Sequence, residues 1–415
     1  MKAELYRLRT QWGNGKTGLV CLVMISWILG VLLYSHSLGS QIRYPDEKDY
    51  LDLAGNLLNT GHYTLDGTTP SAFRAPGYPA LLATLKSAGA SPFLVRIGQF
   101  ILLGLSVFLT FTITRHFSKE AAIPSALFAM FYPVGVYTAG TFFPQTLATT
   151  LFLGVIYLAF CRPYSAMTAW ICGVLCASLL LTVPSFLFTL VVVAGALCVL
   201  VDRHHRKYIL ITILSCLLLT MPWTLRNYAV SHRLIFVSSN SGINLLLGNS
   251  PNTTPNSGVN VDISAYEEKT GGMNEFERDA YYSNCAVEYV SQNKLKAISL
   301  YFRKVLNYFN YRNVLNTRSE SSHINDLIAL LSYGLLIGLV LLRLLMHRQW
   351  VMTTFEKFVV NLYLLNGLYA AVFFTRIRHR LPYDYLLIVV AAITLRHAWA
   401  EWQQSRHNRQ VTGPT

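Results

Sequence analysis

Charge is scarce in this sequence, and acid is scarcer than base. Of 415 residues only 13% are charged, with 20 Asp and Glu against 34 Lys and Arg and a formal net charge of +14. The 53% of hydrophobic residues gather into runs too long for a soluble core, which makes this a chain for a lipid bilayer. Cysteine is missing where it could staple a fold. Cys21, Cys172, Cys176, Cys198 and Cys216 lie inside apolar runs, Cys161 at the end of one, and only Cys285 in a polar stretch. That pattern excludes a disulfide framework. Cys172 and Cys176 stand four residues apart in "WICGVLCASLL" with no further ligand nearby, so they read as small helix-packing residues and not as a metal site. A nucleotide loop is missing too: "GNGKTG" at 13–18 lacks the full phosphate-loop spacing and precedes no strand-helix unit. His62, His232 and His323 are too scattered to form a ligand cluster. Acids such as Asp46 and Asp49 could hold a divalent cation, but no cofactor is required. With no nucleotide or nucleic-acid signature, the excess positive charge reads as loops that hold membrane orientation.

What the sequence does contain is ten candidate spans: 19–38, 93–114, 121–139, 145–160, 167–183, 185–201, 208–225, 325–346, 358–374 and 383–398. Lys2, Arg7, Arg9 and Lys16 precede the first run, which places the N-terminus in the cytoplasm, and no small-residue cleavage site follows it, so it reads as an anchor. Alternation from that start puts "RHFSK" at 115–119, Arg162, "DRHHRK" at 202–207, "RLLMHR" at 343–348 and the tail with Arg396, Arg406 and Arg409 on the cytoplasmic side. All of these connections are basic, as orientation by positive charge requires. The expected fold is an all-α polytopic membrane protein. Its parts are a basic tail (1–18), seven spans (19–225) interrupted by a first outer loop (39–92), a second outer loop with amphipathic helices (226–323), three spans (324–398) with an outer connector (375–382), and a cytoplasmic tail (399–415).

The connector, "TRIRHRLPYDY", breaks the charge rule that its cytoplasmic counterparts obey. Arg376, Arg378 and Arg380 there suit a phosphate held at the bilayer surface, contact with lipid headgroups, or a span count that differs from ten and puts the connector inside. The first outer loop carries the acids. In "RYPDEKDYLDLAGNLLNTGHYT", Pro45 suits a first helical turn, Asp46, Glu47 and Asp49 favour a helix N-terminus, Tyr50, Leu53, Ala54, Leu57 and Leu58 recur at helical spacing, and Gly61 ends the helix. The helix is too short and polar to cross a bilayer and is expected to lie on it. Its acids are either capping groups or a base waiting for a lipid-borne substrate. Beyond them, Pro76, Gly77 and Pro79 predict an extended turn before a short interfacial helix, and Arg74 just ahead of it is either a second cation for the substrate or an ordinary interfacial arginine.

Three segments, "PDEKDYLDLAGNLLNTGHYT…FRAPGYPALLATL", "MPWTLRNYAVSHRLIFVSSNSGINLLLGNSP" and "RHRLPYDYLLIVVAA", resemble corresponding segments of GT-C superfold membrane glycosyltransferases, in the class related to protein O-mannosyltransferases and aminoarabinose transferases. The resemblance implies a polyprenyl-phosphate-sugar donor, a saccharide, lipid or protein acceptor, a site facing away from the cytoplasm and inversion at the anomeric carbon. It makes Asp46 the catalytic base with Glu47 its neighbour, Arg378 and Arg380 the donor-phosphate contacts, and Arg376 an extra cation. It also departs from the pattern: in "GTFFPQTLATT", Gln145 stands where an acid is expected and can only hydrogen-bond a hydroxyl.

Further residues carry open readings. Trp223 fits an interfacial aromatic belt, and Arg226 either anchors there or enters the site. "SSNSGINLLLGNSPNTTPNSG" reads as turns and loop, with a glycosylation sequon at Asn252. Helical periodicity returns over 275–312, where Lys304 and its neighbours bind lipid phosphate or simply face solvent. The expected location is a bacterial inner membrane, with both termini cytoplasmic and a periplasmic active site. A ligase or polymerase on a polyprenyl-pyrophosphate glycan would also use outer arginines but needs no acidic pair. A lipid or sugar transporter would place ionisable groups within its spans, which are almost free of charge.

Overall fold

The computed structural model describes residues 14–312 and 322–411. The basic residues Lys2, Arg7 and Arg9, and the side chains of Lys16, Cys21 and Arg409, lie outside what it describes. Among the described residues the chain is helical, with an isolated bridge between Thr64 and Pro70 as its only β pairing.

Each expected span coincides with a helix: α1 (Asn14–Leu38), α4 (Pro92–Phe117), the pair α5 (Ala122–Met130) and α6 (Pro133–Ala139), α7 (Gln145–Cys161), α8 (Ala166–Thr182), α9 (Phe186–Leu200), α10 (Arg206–Ser231), α15 (His323–Leu345), α16 (Thr354–Ala370) and α17 (Ile377–Val411). Between them run α2 (Pro45–Thr60), α3 (Gly77–Ser87), α11 (Ser241–Gly248), α12 (Ser264–Glu267), α13 (Glu275–Gln292) and α14 (Lys294–Tyr308). By length and composition four described helices can cross a bilayer, namely α4, α10 with its leading turn, α15 and α17, and the bent α5/α6 pair makes a fifth. The 121–139 run is not one straight rod. It breaks by 51° where Pro133 opens α6, since proline lacks the N–H that would continue the helical ladder.

The last helix is the axis of the fold. Residues 380 to 394 are buried without interruption, against α5, α7, α15 and α16. A helix apolar on every side is driven to the centre of such a bundle. At one end of the bundle, α2 behaves as its sequence dictates. Pro45 occupies the first turn with Asp46 and Glu47, and Gly61 at φ 72° closes the helix by donating to the Leu57 carbonyl. Its face of Tyr50, Leu53 and Ala54 is buried, with Tyr50 and Ala54 packing on Tyr78, Leu82 and Ala83 of α3.

Two expectations are corrected. Pro76 to Pro79 form no extended turn: Pro76 caps α3 and Pro79 sits in its first turn, where a missing N–H costs nothing. The Asn- and Ser-rich segment after α10 is not all loop, because Ser241 to Gly248 form α11. Its cap comes from another helix: Asp279 of α13 accepts from the N–H groups of Gly242 at 2.6 Å and Ile243 at 3.3 Å.

Candidate active site

The first turn of α2 and the first turn of α17 meet in space. Arg74 Nη2 donates to Asp46 Oδ1 at 2.7 Å and to Asp49 Oδ2 at 2.7 Å, while Arg378 Nη1 lies 3.0 Å from Asp46 Oδ2. The acids of the first loop and the arginines of the connector thus form one cluster. Local structure holds each part. Tyr63 Oη donates to the Arg74 and Ala75 carbonyls, fixing the backbone that presents Arg74, and the Arg74 guanidinium lies 5.4 Å from the Tyr50 ring centre and 4.9 Å from that of Phe73. Arg378 lies 4.8 Å above the Phe143 ring, in the segment between α6 and α7.

The cluster forms one wall of a cavity of about 390 Å³. The rest of the lining comes from α11 and its cap, through Asn240, Ile243, Asn244 and Leu247, and from the following strap, through Val259, Val261 to Ser264 and Glu267. The lining combines the two cations Arg74 and Arg378 with amides, acids and apolar side chains. Burial on its own would raise the Asp46 carboxyl, but Arg378 and Arg74 outweigh it and hold that group below the ordinary aspartate range. Burial works against the charge on Arg74, yet Tyr50, Asp46 and Asp49 hold it above its usual value.

The other expected site residues lie elsewhere. Glu47 is 1% exposed and faces away from the cavity; its Oε2 accepts the Arg43 N–H at 2.9 Å, and burial raises its carboxyl. It therefore secures the start of α2 beside Arg96, whose guanidinium donates to the carbonyls of Gly39, Gln41 and Gly140. Arg380 is buried within the bundle and reaches the cavity nowhere. Its Nε pairs with Asp384 at 3.3 Å, one turn on, and Nη1 donates to the Tyr308 and Asn310 carbonyls at the end of α14. Asp384 also accepts from Tyr132 at 2.8 Å and Tyr363 at 3.2 Å.

Arg376 is tied to the strap, donating to Asn260 Oδ1 at 2.9 Å and packing so closely on Gly258 that a Cβ there would lie 2.4 Å from its Nε. Arg226 donates to the carbonyls of Ser71 at 2.6 Å and Tyr63 at 3.2 Å, and Glu275 accepts from Ser71, Ala72 and Ser239, so both brace the loop over 61–76. Lys304 is fully buried. It donates to the Gly248 and Phe373 carbonyls at 2.9 and 2.8 Å, joining α11 to the approach to α17, and burial lowers its amine to about 8. Gln145 opens α7, its Oε1 buried without a hydrogen-bond partner, and it does not line the cavity.

Sequence reasoning missed Asn240, Asn244, the strap and Phe143. Only Phe143 had a local signal, an aromatic pair just before the proline that precedes α7. The charged residues inside the spans were also undercounted: Arg96, Arg343, Arg380 and Asp384 are all buried, each on a carboxylate, an arginine or backbone carbonyls, and none lines the cavity. Among the described residues no three His, Cys, Asp or Glu side chains gather as a metal site would need, and Asp46 and Asp49 both spend their charge on Arg74.

No protein-family model matches this chain, and no curated protein matches it. Among solved structures, it is similar to ArnT from Cupriavidus metallidurans bound to undecaprenyl phosphate, with a TM-score of 0.46 and 14% identity over 91% of this chain and 77% of that one. The apo state of the same protein gives a TM-score of 0.45 at 13% identity over 92% of this chain and 77% of that one. The archaeal oligosaccharyltransferase AglB from Archaeoglobus fulgidus, in complex with an inhibitory peptide and a dolichol-phosphate, gives 0.45 at 15% identity. That match covers 94% of this chain and 52% of AglB, so the chain spans about half the length of the archaeal protein.

Proposed function

We propose that this protein is an integral-membrane glycosyltransferase of the GT-C type, with ten spans and its cavity on the non-cytoplasmic face, that moves a sugar from a polyprenyl-phosphate donor to an acceptor hydroxyl with inversion. The observation that carries the reading is Asp46 paired with both Arg74 and Arg378 in the lining of a cavity large enough for a monosaccharide unit and part of an acceptor. A carboxylate can take a proton, and fixed guanidinium groups can hold a phosphate that leaves.

In this reading Asp46 accepts the proton of the acceptor hydroxyl. The acceptor oxygen forms its bond to C1 of the sugar from the face opposite the phosphate. The bond from C1 to the phosphate oxygen breaks, and the electron pair leaves with the polyprenyl phosphate, whose charge is met by Arg378 with Arg74 beside it. Asn240 and Asn244 offer amide donors and acceptors to sugar hydroxyls. Arg380 keeps no phosphate role here, since it is committed to Asp384 and to the end of α14. A bacterial inner membrane with a periplasmic site fits the basic cytoplasmic connections.

The test is transfer from a set of polyprenyl-phosphate sugars by the full chain in proteoliposomes. Asp46→Asn is expected to lower turnover by about 10²–10⁴-fold, the range for a lost general base. Retained turnover would remove Asp46 from the catalytic role. Arg378→Gln is expected to lose donor affinity as well as rate.

A further inference from the structure

The cluster holds its two arginines unequally. Arg74 is bound by two carboxylates, through Nη2 to Asp46 at 2.7 Å and through Nε and Nη2 to Asp49 at 3.2 and 2.7 Å. Arg378 holds a single carboxylate oxygen of Asp46 at 3.0 Å, and its Nε is buried with no hydrogen-bond partner among the described residues. Its side chain is also the more exposed of the two, 25% against 15%. It stands in the first turn of α17, where the unpaired N–H groups and the helix dipole favour a negative charge.

The charge count then matters. Two guanidinium groups and two carboxylates make the cluster neutral, so an incoming phosphate ester adds an anion for which no cation is in reserve. Among the described residues Arg74 and Arg378 are the only cations lining the cavity, and the lining also carries Asp262 and Glu267, which repel an anion. The phosphate must take an existing partner, and Arg378 is the one less firmly held. Asp46, in turn, is a poor acceptor for a hydroxyl proton while two guanidinium groups occupy its oxygens.

We infer that the donor phosphate and Asp46 compete for Arg378, so that donor binding pulls the guanidinium from the carboxylate and frees the base only in the loaded site. The exchange rests on the donor reading above and adds an order to it: the donor enters before the acceptor can be deprotonated. An acceptor hydroxyl or a water molecule in the empty cavity meets an Asp46 locked in ion pairs. Around Asp46, the groups that share its field are Asp49 and Tyr50 of α2, Arg74 of the following loop, Arg378 and His379 of α17, and Asp262 and Glu267 of the cavity lining. Of these only Arg378 touches Asp46 while being held by no second carboxylate.

The experiment is equilibrium titration of undecaprenyl phosphate, a polyprenyl phosphate without sugar, into the full chain in detergent. Removing the competing carboxylate is expected to tighten binding: Asp46→Asn lowers Kd by roughly three- to tenfold, the worth of a charge-assisted contact partly open to water. Asp49→Asn removes the same charge but no partner of Arg378, and is expected to shift Kd by no more than about twofold. Arg378→Gln weakens binding by at least about tenfold. If Arg378→Gln weakens binding while Asp46→Asn leaves it unchanged or weakens it, the exchange is wrong and the donor reading stands. Equal tightening by Asp46→Asn and Asp49→Asn would mean bulk charge alone and would also overturn it. If Arg378→Gln binds as wild type does, the donor site itself is misplaced. A second readout needs no variant: with isotope-labelled aspartate, the infrared carboxylate band of wild type shifts on adding undecaprenyl phosphate, and an unmoved band contradicts the exchange.

Discussion

At the scale of single residues, the buried ionisable groups divide into two kinds. Asp46, Arg74 and Arg378 face a cavity and hold one another. Arg96, Arg380 and Lys304 face backbone carbonyls and hold segments together. Lys304 offers a clean test of the second kind because no carboxylate among the described residues pairs with it. Its amine titrates near 10.4 in an unfolded chain and is lowered to about 8 here, so between those values the unfolded state binds more protons. Stability is therefore expected to rise as pH goes from about 8 to about 10, and to level off above the unfolded value. Thermal melts in detergent across that range check the sign, and Lys304→Met should remove the rise. The sequence made Asp46 and Arg378 stand out as a pair that the fold brings together, because an acid after a Pro-led turn and arginines that break the expected charge rule are both local signals. It concealed Arg380. Its partner Asp384 stands four residues on at the edge of an apolar run, and that i, i+4 pair was the available sign that this arginine belongs to the interior.

At the scale of elements, the site depends on α11, a helix of eight residues that the Asn, Ser and Gly content of its segment disguised. A short helix in such a sequence is not stable by propensity. It forms because α13 supplies its cap through Asp279 and because two glycines permit close approach. A Cβ on Gly242 would lie 1.9 Å from the Asp279 carbonyl oxygen, and one on Gly248 would lie 1.9 Å from the Phe373 carbonyl oxygen. Both obstacles are backbone, which cannot rotate away. Gly248→Ala is thus expected to cost about 1–3 kcal/mol of stability and to separate α11 from the approach to α17. A lower thermal midpoint together with weaker donor binding would bear this out, and a variant with wild-type melting would contradict the packing described. These contacts link residues more than 30 positions apart, so no window of the sequence could reveal them. The α2 helix, by contrast, was readable to its ends, since its proline, acids, apolar stripe and terminal glycine all lie within it.

At the scale of the molecule, ten expected spans became ten helical units, with the third bent at Pro133 and the last forming the axis of the bundle. Helix existence followed from apolar run length, and that much was legible. Which runs pack centrally was not, because α9 and α17 are both apolar and differ in what surrounds them. The arrangement delivers the start of α17 to the start of α2, two segments more than 300 residues apart, and that meeting is the basis of the functional reading. It is tested most directly by native mass spectrometry of the full chain released from detergent, comparing wild type with Arg378→Ala and Asp46→Asn. Wild type and Asp46→Asn are expected to carry a polyprenyl phosphate or its sugar-charged form, identified by mass, and Arg378→Ala to have lost it. A lipid phosphate retained by Arg378→Ala, or none held by wild type even after undecaprenyl phosphate is added, would contradict the account.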